Sequence, residues 1–141
     1  MKTKAVFCLG VASLAVAGCA SLFGFLGGPA TCTGPVCHVK VTVTNCAVTV
    51  DPDRIEIAKG KHHILWSIQP GGHHDFTSSG ISFKTGNGTV FTNPHRPAVG
   101  KFQVTDFNDP QVPGPKYYKY TIEVTQDGKP CPPHDPDVMN D

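Results

Sequence analysis

From Val39 onward, apolar and polar residues alternate with a period of two, the mark of strands buried on one face. Val39, Val41 and Val43 alternate with Lys40, Thr42 and Thr44, which predicts a first strand. Val48 and Val50 fall out of phase with that set, so a bulge or turn is expected near Asn45. Asp51-Pro52-Asp53 is a turn signal leading into a short strand with Ile55 and Ile57 on one face. Lys59-Gly60-Lys61 turns again into a strand that sets Ile64, Trp66 and Ile68 against Leu65 and Ser67, and Pro70-Gly71-Gly72 ends it. Ile81 and Phe83 mark another strand, and Gly86-Asn87-Gly88 predicts a hairpin turn into Val90-Phe91. Phe102 and Val104 follow, then a loop with Pro110, Pro113, Gly114 and Pro115. The last alternation is the clearest: Tyr118, Tyr120, Ile122 and Val124 inward, Lys119, Thr121, Glu123 and Thr125 outward. No stretch after Ala30 keeps a helical period over three turns. The pattern predicts an all-β chain of about seven to eight short strands, an antiparallel Greek-key β-sandwich. Trp66, Tyr118 and Tyr120 read as core aromatics.

The N-terminus follows a different logic. Lys2 and Lys4 precede an uncharged run from Ala5 to Ala17 rich in Val, Ala and Leu. That run is too short to cross a bilayer as a helix but suits the apolar region of a signal peptide. It ends in Val16-Ala17-Gly18-Cys19, which resembles the lipobox of bacterial lipoproteins. The resemblance implies a signal peptide over 1–18 and acylation of Cys19, with the lipid bilayer as partner. Residues 19–37 then form a Gly/Pro/Ala-rich tether, 38–126 the β-sandwich domain, and 127–141 a C-terminal tail carrying Cys131. Ala20, where Asp would signal retention in the inner membrane, resembles the pattern for outer-membrane delivery in diderm bacteria. The expected location is the cell envelope, anchored to the outer membrane and facing the periplasm.

Processing at Cys19 leaves about 123 residues, enough for one domain with a modest core. Loss of Lys2 and Lys4 takes the formal net charge from +1 to about −1. A nearly neutral chain without basic clusters gives no reason to expect nucleic-acid binding. Attachment should therefore come from acyl chains. Of the 6 cysteines, Cys8 leaves with the signal and Cys19 takes lipid, so Cys32, Cys37, Cys46 and Cys131 remain. An even number in an exported domain points to disulfides. A strand from 38 to 45 would hold Cys37 and Cys46 apart unless the chain turns at Thr44-Asn45, so bridges from the N-terminal segment or first strand to Cys131 are favoured. The partners stay open.

Val48 to Ile68, with Asp51-Pro52-Asp53-Arg54-Ile55-Glu56-Ile57-Ala58-Lys59-Gly60 and Ile64-Leu65-Trp66, resembles the front half of a cupredoxin-like domain. An immunoglobulin-like sandwich shares the same alternation. Cys131-Pro-Pro-His134-Asp-Pro-Asp-Val-Met139 has the spacing of plastocyanin-like blue copper loops. That resemblance implies a thiolate, thioether and two imidazoles from Cys131, Met139, His134 and either His73 or His74, a set suited to copper. It departs from the family pattern in placing Ile122 where the family's strand would lead to the ligand cysteine. Two disulfides, moreover, would use all four cysteines and leave no thiolate. The expectation is a sandwich without a type 1 site, and the alternatives are a blue-copper-type electron carrier or a periplasmic copper- or zinc-binding protein.

All 7 histidines lie after Cys19. His62-His63 and His73-His74 flank the Trp66 strand, and adjacent histidines on a strand point to opposite faces. The His73-His74-Asp75 pair, set in a loop, is therefore the better candidate for zinc or copper. No Gly-x-Ser-x-Gly elbow or Ser-x-x-Lys pair is present, and Glu56 and Glu123 both fall on outward positions. The chain is not expected to be an enzyme; it reads as a binding or structural module with an envelope protein as partner.

Overall fold

The alternation becomes strand after strand in the structure, a computed structural model that describes residues 30–141. The signal segment, Cys19 and the first part of the tether lie outside the described residues. Among the described residues there is no helix, and the strands form two sheets. One contains β1 (Ala30–Cys32), β4 (Arg54–Ile57), β11 (Asp137–Asn140) and β9 (Lys116–Gln126) in that order, with β6 (His74–Phe83) and β10 (Lys129–Pro130) also pairing with β9. The other runs β3 (Ala47–Asp51), β2 (Val36–Thr44), β5 (Gly60–Ile68), β8 (Lys101–Asn108) and β7 (Phe91–His95). The all-β class is as the sequence predicts, and the two sheets are those of a β-sandwich.

Several details differ. Among the described residues there are 11 strands, because β1, β10 and β11 are too short to display an alternation. The sheets are mixed: β2 runs parallel to β5, and β4 parallel to both β1 and β11. The cause lies in the connections. After β2 and β3 the chain crosses to the other sheet as β4, and on return β5 lies beside β2 in the same direction. The segment read as a tail supplies β10 and β11, and β11 sits between β4 and β9 with Val138 fully buried.

The Gly86-Asn87-Gly88 turn is not a hairpin. β6 and β7 belong to different sheets, so this turn is a corner that carries the chain from one to the other. The Gly86 carbonyl accepts from the N–H groups of Val90 and Phe91, and Gly86 itself has a φ of 74°. Phe83 and Phe91 stack across the corner with ring centroids 3.6 Å apart, an apolar contact between sheets that alternation alone does not reveal.

The expected turn near Asn45 is present. Asn45 and Cys46 have φ of 51° and 62°, and Thr44 pairs with Ala47, the geometry of a two-residue hairpin turn with both central residues left-handed. Cys46 is held there by a disulfide to Cys131, which ties the end of the first long strand to the C-terminal segment. The second disulfide, Cys32–Cys37, closes a short loop before β2.

The core lies between the sheets. Val39, Val41, Ile64, Trp66, Phe102 and Val104 on one side meet Ile55, Ile57, Phe76, Tyr120, Ile122 and Val124 on the other, all nearly or fully buried. The Trp66 indole N–H donates to the Tyr120 hydroxyl at 3.2 Å, and the two rings lie 5.4 Å apart. This polar contact fixes the alignment of the sheets at the centre of an apolar core. β6 bulges between Phe76 and Ile81, where Thr77 and Ser79 donate to the Glu123 carboxylate.

Candidate functional site

Along the β5–β8 ladder, the inward pairs change from apolar to polar toward one end. Trp66 faces Phe102, Ile64 faces Val104, His62 faces Asp106, and Gly60 faces Asn108. Period two places His62 in phase with Ile64, and Asp106 in phase with Val104, so both polar side chains are forced inward. Asn140, at the end of β11, joins them from the other sheet. His62, Asp106, Asn108 and Asn140 are all buried.

Their hydrogen bonding is incomplete. The Asn140 amide donates to Asp106 Oδ1 at 3.1 Å, and the Asn108 amide donates to the Ile57 carbonyl at 2.9 Å. His62 Nδ1 lies 2.7 Å from the Gly34 carbonyl. A carbonyl can only accept, so Nδ1 carries the proton. Asp106 Oδ2, His62 Nε2 and Asn140 Oδ1 are buried without partners. Desolvation pushes the Asp106 carboxyl up from 3.8 to about 6, against the lowering effects of the Asn140 hydrogen bond and the His62 charge. Burial, and then the Asp106 charge, also push the Tyr118 phenol up. Buried polar groups left partly unpaired are costly, and their concentration at one end of an otherwise apolar core makes that end the candidate site.

A groove of 680 Å³ opens over this end, lined by Gly60, Lys61, Thr89, Val90, Phe107, Asn108, Asp109, Pro110 and Val112. A smaller chamber of 50 Å³ shares its Val90, Phe107 and Val112 wall and reaches Lys116, Tyr118 and Asn140. The proline-rich loop after β8 forms one wall of the groove through Asp109, Pro110 and Val112. Lys59 pins that loop by donating to the Val112 carbonyl at 2.9 Å, and Asp109 Oδ1 accepts from the Gln111 N–H at 2.8 Å. Phe107 remains 43% exposed, with the Lys61 ammonium 5.3 Å from its ring centroid. Lys61 lines the groove and Lys116 the smaller chamber, and Asp109 is the acidic residue in both linings.

The residues singled out from the sequence lie elsewhere and do not converge. Cys131 is bonded to Cys46, so a copper centre built on that sulfur would first require the bridge to open. His73 Nδ1 lies 3.1 Å from an Asp127 carboxylate oxygen, and its side chain is 85% exposed. His74 pairs with Gln126, and both its ring nitrogens are buried without partners. The Asp75 carboxylate is already engaged by Arg96 and by the Gly100 and Phe76 N–H groups. His134 Nε2 lies 3.4 Å from Asp53, and His134 is bridged to Ile122 on the side of β9 away from β6. The His74 and His134 backbones are thus offset by about 13 Å along β9, besides the width of the strand. Met139 sits in β11, paired with Tyr117 and Glu56. Among the described residues, the set of three whose ligand atoms lie within 4.8 Å of one another is Cys32, Cys37 and His62, and two of these form a disulfide.

Sequence reasoning did not single out Asp106, Asn108 and Asn140, and it read His62 only as one of a flanking pair. The signal was present: extending the Phe102-Val104 phase by two further steps lands on Asp106 and Asn108. No family model matches the chain, and no curated protein matches it.

Proposed function

We propose that the chain is a bacterial envelope lipoprotein, held to the outer membrane by acylated Cys19, whose β-sandwich is a non-enzymatic binding module. Its ligand is a small amphiphilic anion, an apolar body with a carboxylate, sulfonate or phosphate head. One observation carries this reading: the fold leaves Phe107 exposed in an apolar groove that Lys61 lines, with Lys116 in the adjoining chamber. An aromatic side chain of that size would normally be buried, and a concave apolar surface with a few polar groups is the usual form of a small-molecule site. Lys61 and Lys116 supply the charge that would meet an anionic head, and Val90, Val112 and Pro110 supply the apolar wall.

The Cys19 anchor rests on the lipobox-like sequence Val16-Ala17-Gly18-Cys19. It leaves the module in water next to a lipid surface, a setting in which amphiphilic anions are abundant.

A fluorescence titration with anilinonaphthalene sulfonate, which combines an apolar ring system with a sulfonate, tests the groove. Residues 20–141 contain every described strand and both disulfides, and this fragment should bind the probe saturably. Phe107→Ala should weaken binding by about tenfold, as expected for loss of roughly 1.4 kcal/mol of aromatic contact. Equal binding by Phe107→Ala, or a signal that never saturates, would refute the groove as the site.

A further inference from the structure

We propose that the Cys32–Cys37 bridge is a thiol–disulfide exchange site, in which Cys32 is the sulfur attacked by a dithiol donor and His62 stabilises the departing Cys37 thiolate. Four features of the structure lead there. The two sulfurs and a ring nitrogen of His62 all lie within 4.8 Å of one another. Cys37 is 4% exposed, whereas Cys32 is only partly buried. Both cysteines line a surface depression of 280 Å³ bounded by Thr31, Thr33, Gly34, His38, Pro52 and Ile55, so a donor has a route to the bridge. His62 is itself oriented: its Nδ1–H donates to the carbonyl of Gly34, inside the loop that the bridge closes, while the buried carboxyl of Asp106 faces it across the β5–β8 ladder. A cysteine beside an imidazole is the arrangement that stabilises a thiolate.

The step balances. A donor thiolate attacks Cys32 Sγ, a donor–Cys32 bond forms, and the Cys32–Cys37 bond breaks. The electron pair leaves on Cys37 Sγ as a thiolate beside the His62 ring, and solvent then protonates it. The donor's second thiolate then attacks the donor sulfur of the mixed disulfide, and Cys32 departs as a thiolate that is protonated from solvent. Two electrons pass from the dithiol to the bridge, the two donor protons released to solvent are matched by two taken up from solvent by Cys32 and Cys37, and the donor is left as its own disulfide.

The other bridge is built differently. Cys46–Cys131 joins positions 85 apart in sequence, against 5 for Cys32–Cys37. Opening the short loop frees little chain entropy, whereas opening the long one releases the C-terminal strands from the turn after β2. Among the described residues, Cys46 and Cys131 share no histidine within the distance that unites Cys32, Cys37 and His62. One bridge is placed for exchange and the other for stability.

The test uses the full-length chain, purified without reductant, exposed to dithiothreitol under native conditions. Thiols are trapped with iodoacetamide at intervals and assigned by peptide mass spectrometry. Cys32 and Cys37 should be labelled at least about tenfold faster than Cys46 and Cys131, with the near-ultraviolet circular dichroism unchanged. His62→Gln should slow that opening by about tenfold, and it should slow alkylation of the reduced pair to a similar extent by lowering its thiolate fraction. Should His62→Gln not fold, the reduced wild-type protein decides the matter. One thiol that titrates about one unit or more below the ordinary cysteine value supports the site, and ordinary titration of both overturns it. Opening of the two bridges together, only as the protein unfolds, overturns the proposal, as does an unchanged rate in folded His62→Gln.

Discussion

Replacing Asp106 by Asn should stabilise the protein, and more so as pH rises. Asp106 is fully buried; its Oδ1 accepts from Asn140 and its Oδ2 has no partner. Burial pushes it up, Asn140 from β11 and His62 from β5 act against that, and the pKa settles at about 6. Below 3.8 the carboxyl is protonated in both folded and unfolded chains and contributes no difference. As pH rises from 3.8 towards 6, the unfolded chain ionises first and is favoured. Above 6 the full penalty applies, so stability from this group is present at low pH and lost as pH rises through the folded value. A shift from 3.8 to about 6 corresponds to roughly 3 kcal/mol. The Asn side chain keeps the shape without the charge, and its amide can donate to Asn140 Oδ1, which has no partner. Urea unfolding at several pH values, with the disulfides intact, measures the difference between Asp106→Asn and wild type. The gap should be near zero below pH 3.8 and approach about 3 kcal/mol at neutral to alkaline pH, a Tm difference of roughly 10 °C or more. A gap independent of pH, or a variant less stable than wild type at alkaline pH, would refute the reasoning.

Other outcomes follow from single contacts. Removing the Cys46–Cys131 bridge by paired Ser substitutions should cost about 4.5 kcal/mol, and removing Cys32–Cys37 about 2 kcal/mol, as loop-closure entropy predicts for these separations; denaturant titration distinguishes the two. Gly80→Ala should destabilise by about 1–3 kcal/mol, because a Cβ there would lie 2.7 Å from Phe76 Cβ and 2.8 Å from Phe102 Cδ2; thermal unfolding measures it. Tyr120→Phe should cost about 1–3 kcal/mol by leaving the buried Trp66 N–H unpaired, seen as a lower urea midpoint. Cys19→Ala should abolish acylation and release the domain from the membrane fraction, read by mass spectrometry and fractionation.

The strands with long alternation were legible because each buries one face: the inward sets of β2, β5 and β9 are the residues the pattern names. The turn at Asn45 was legible from the change of phase. The parallel pairings were not, because alternation reports which face is buried and says nothing about which strand lies alongside. The corner at Gly86 carries the same glycine and asparagine signals as a hairpin; only the stacking of Phe83 on Phe91 across the sheets decides between them. The exchange of Cys131 between a copper loop and a disulfide turned on the position of Cys46, which the hairpin turn carries to the C-terminal segment. The polar end was half legible. Asp106 and Asn108 follow the phase of Phe102, but Asn140 reaches them only because a four-residue strand inserts between β4 and β9.

The claim that the polar end of the sandwich is its binding end is tested most directly by mapping backbone amide chemical shifts as a medium-chain carboxylate is added to the folded domain. The account predicts saturable shifts gathered at Lys61, Val90, Phe107, Asn108 and the loop from Asp109 to Pro115. Shifts centred on His73, His74 and the Cys46–Cys131 bridge, or none that saturate, would contradict it.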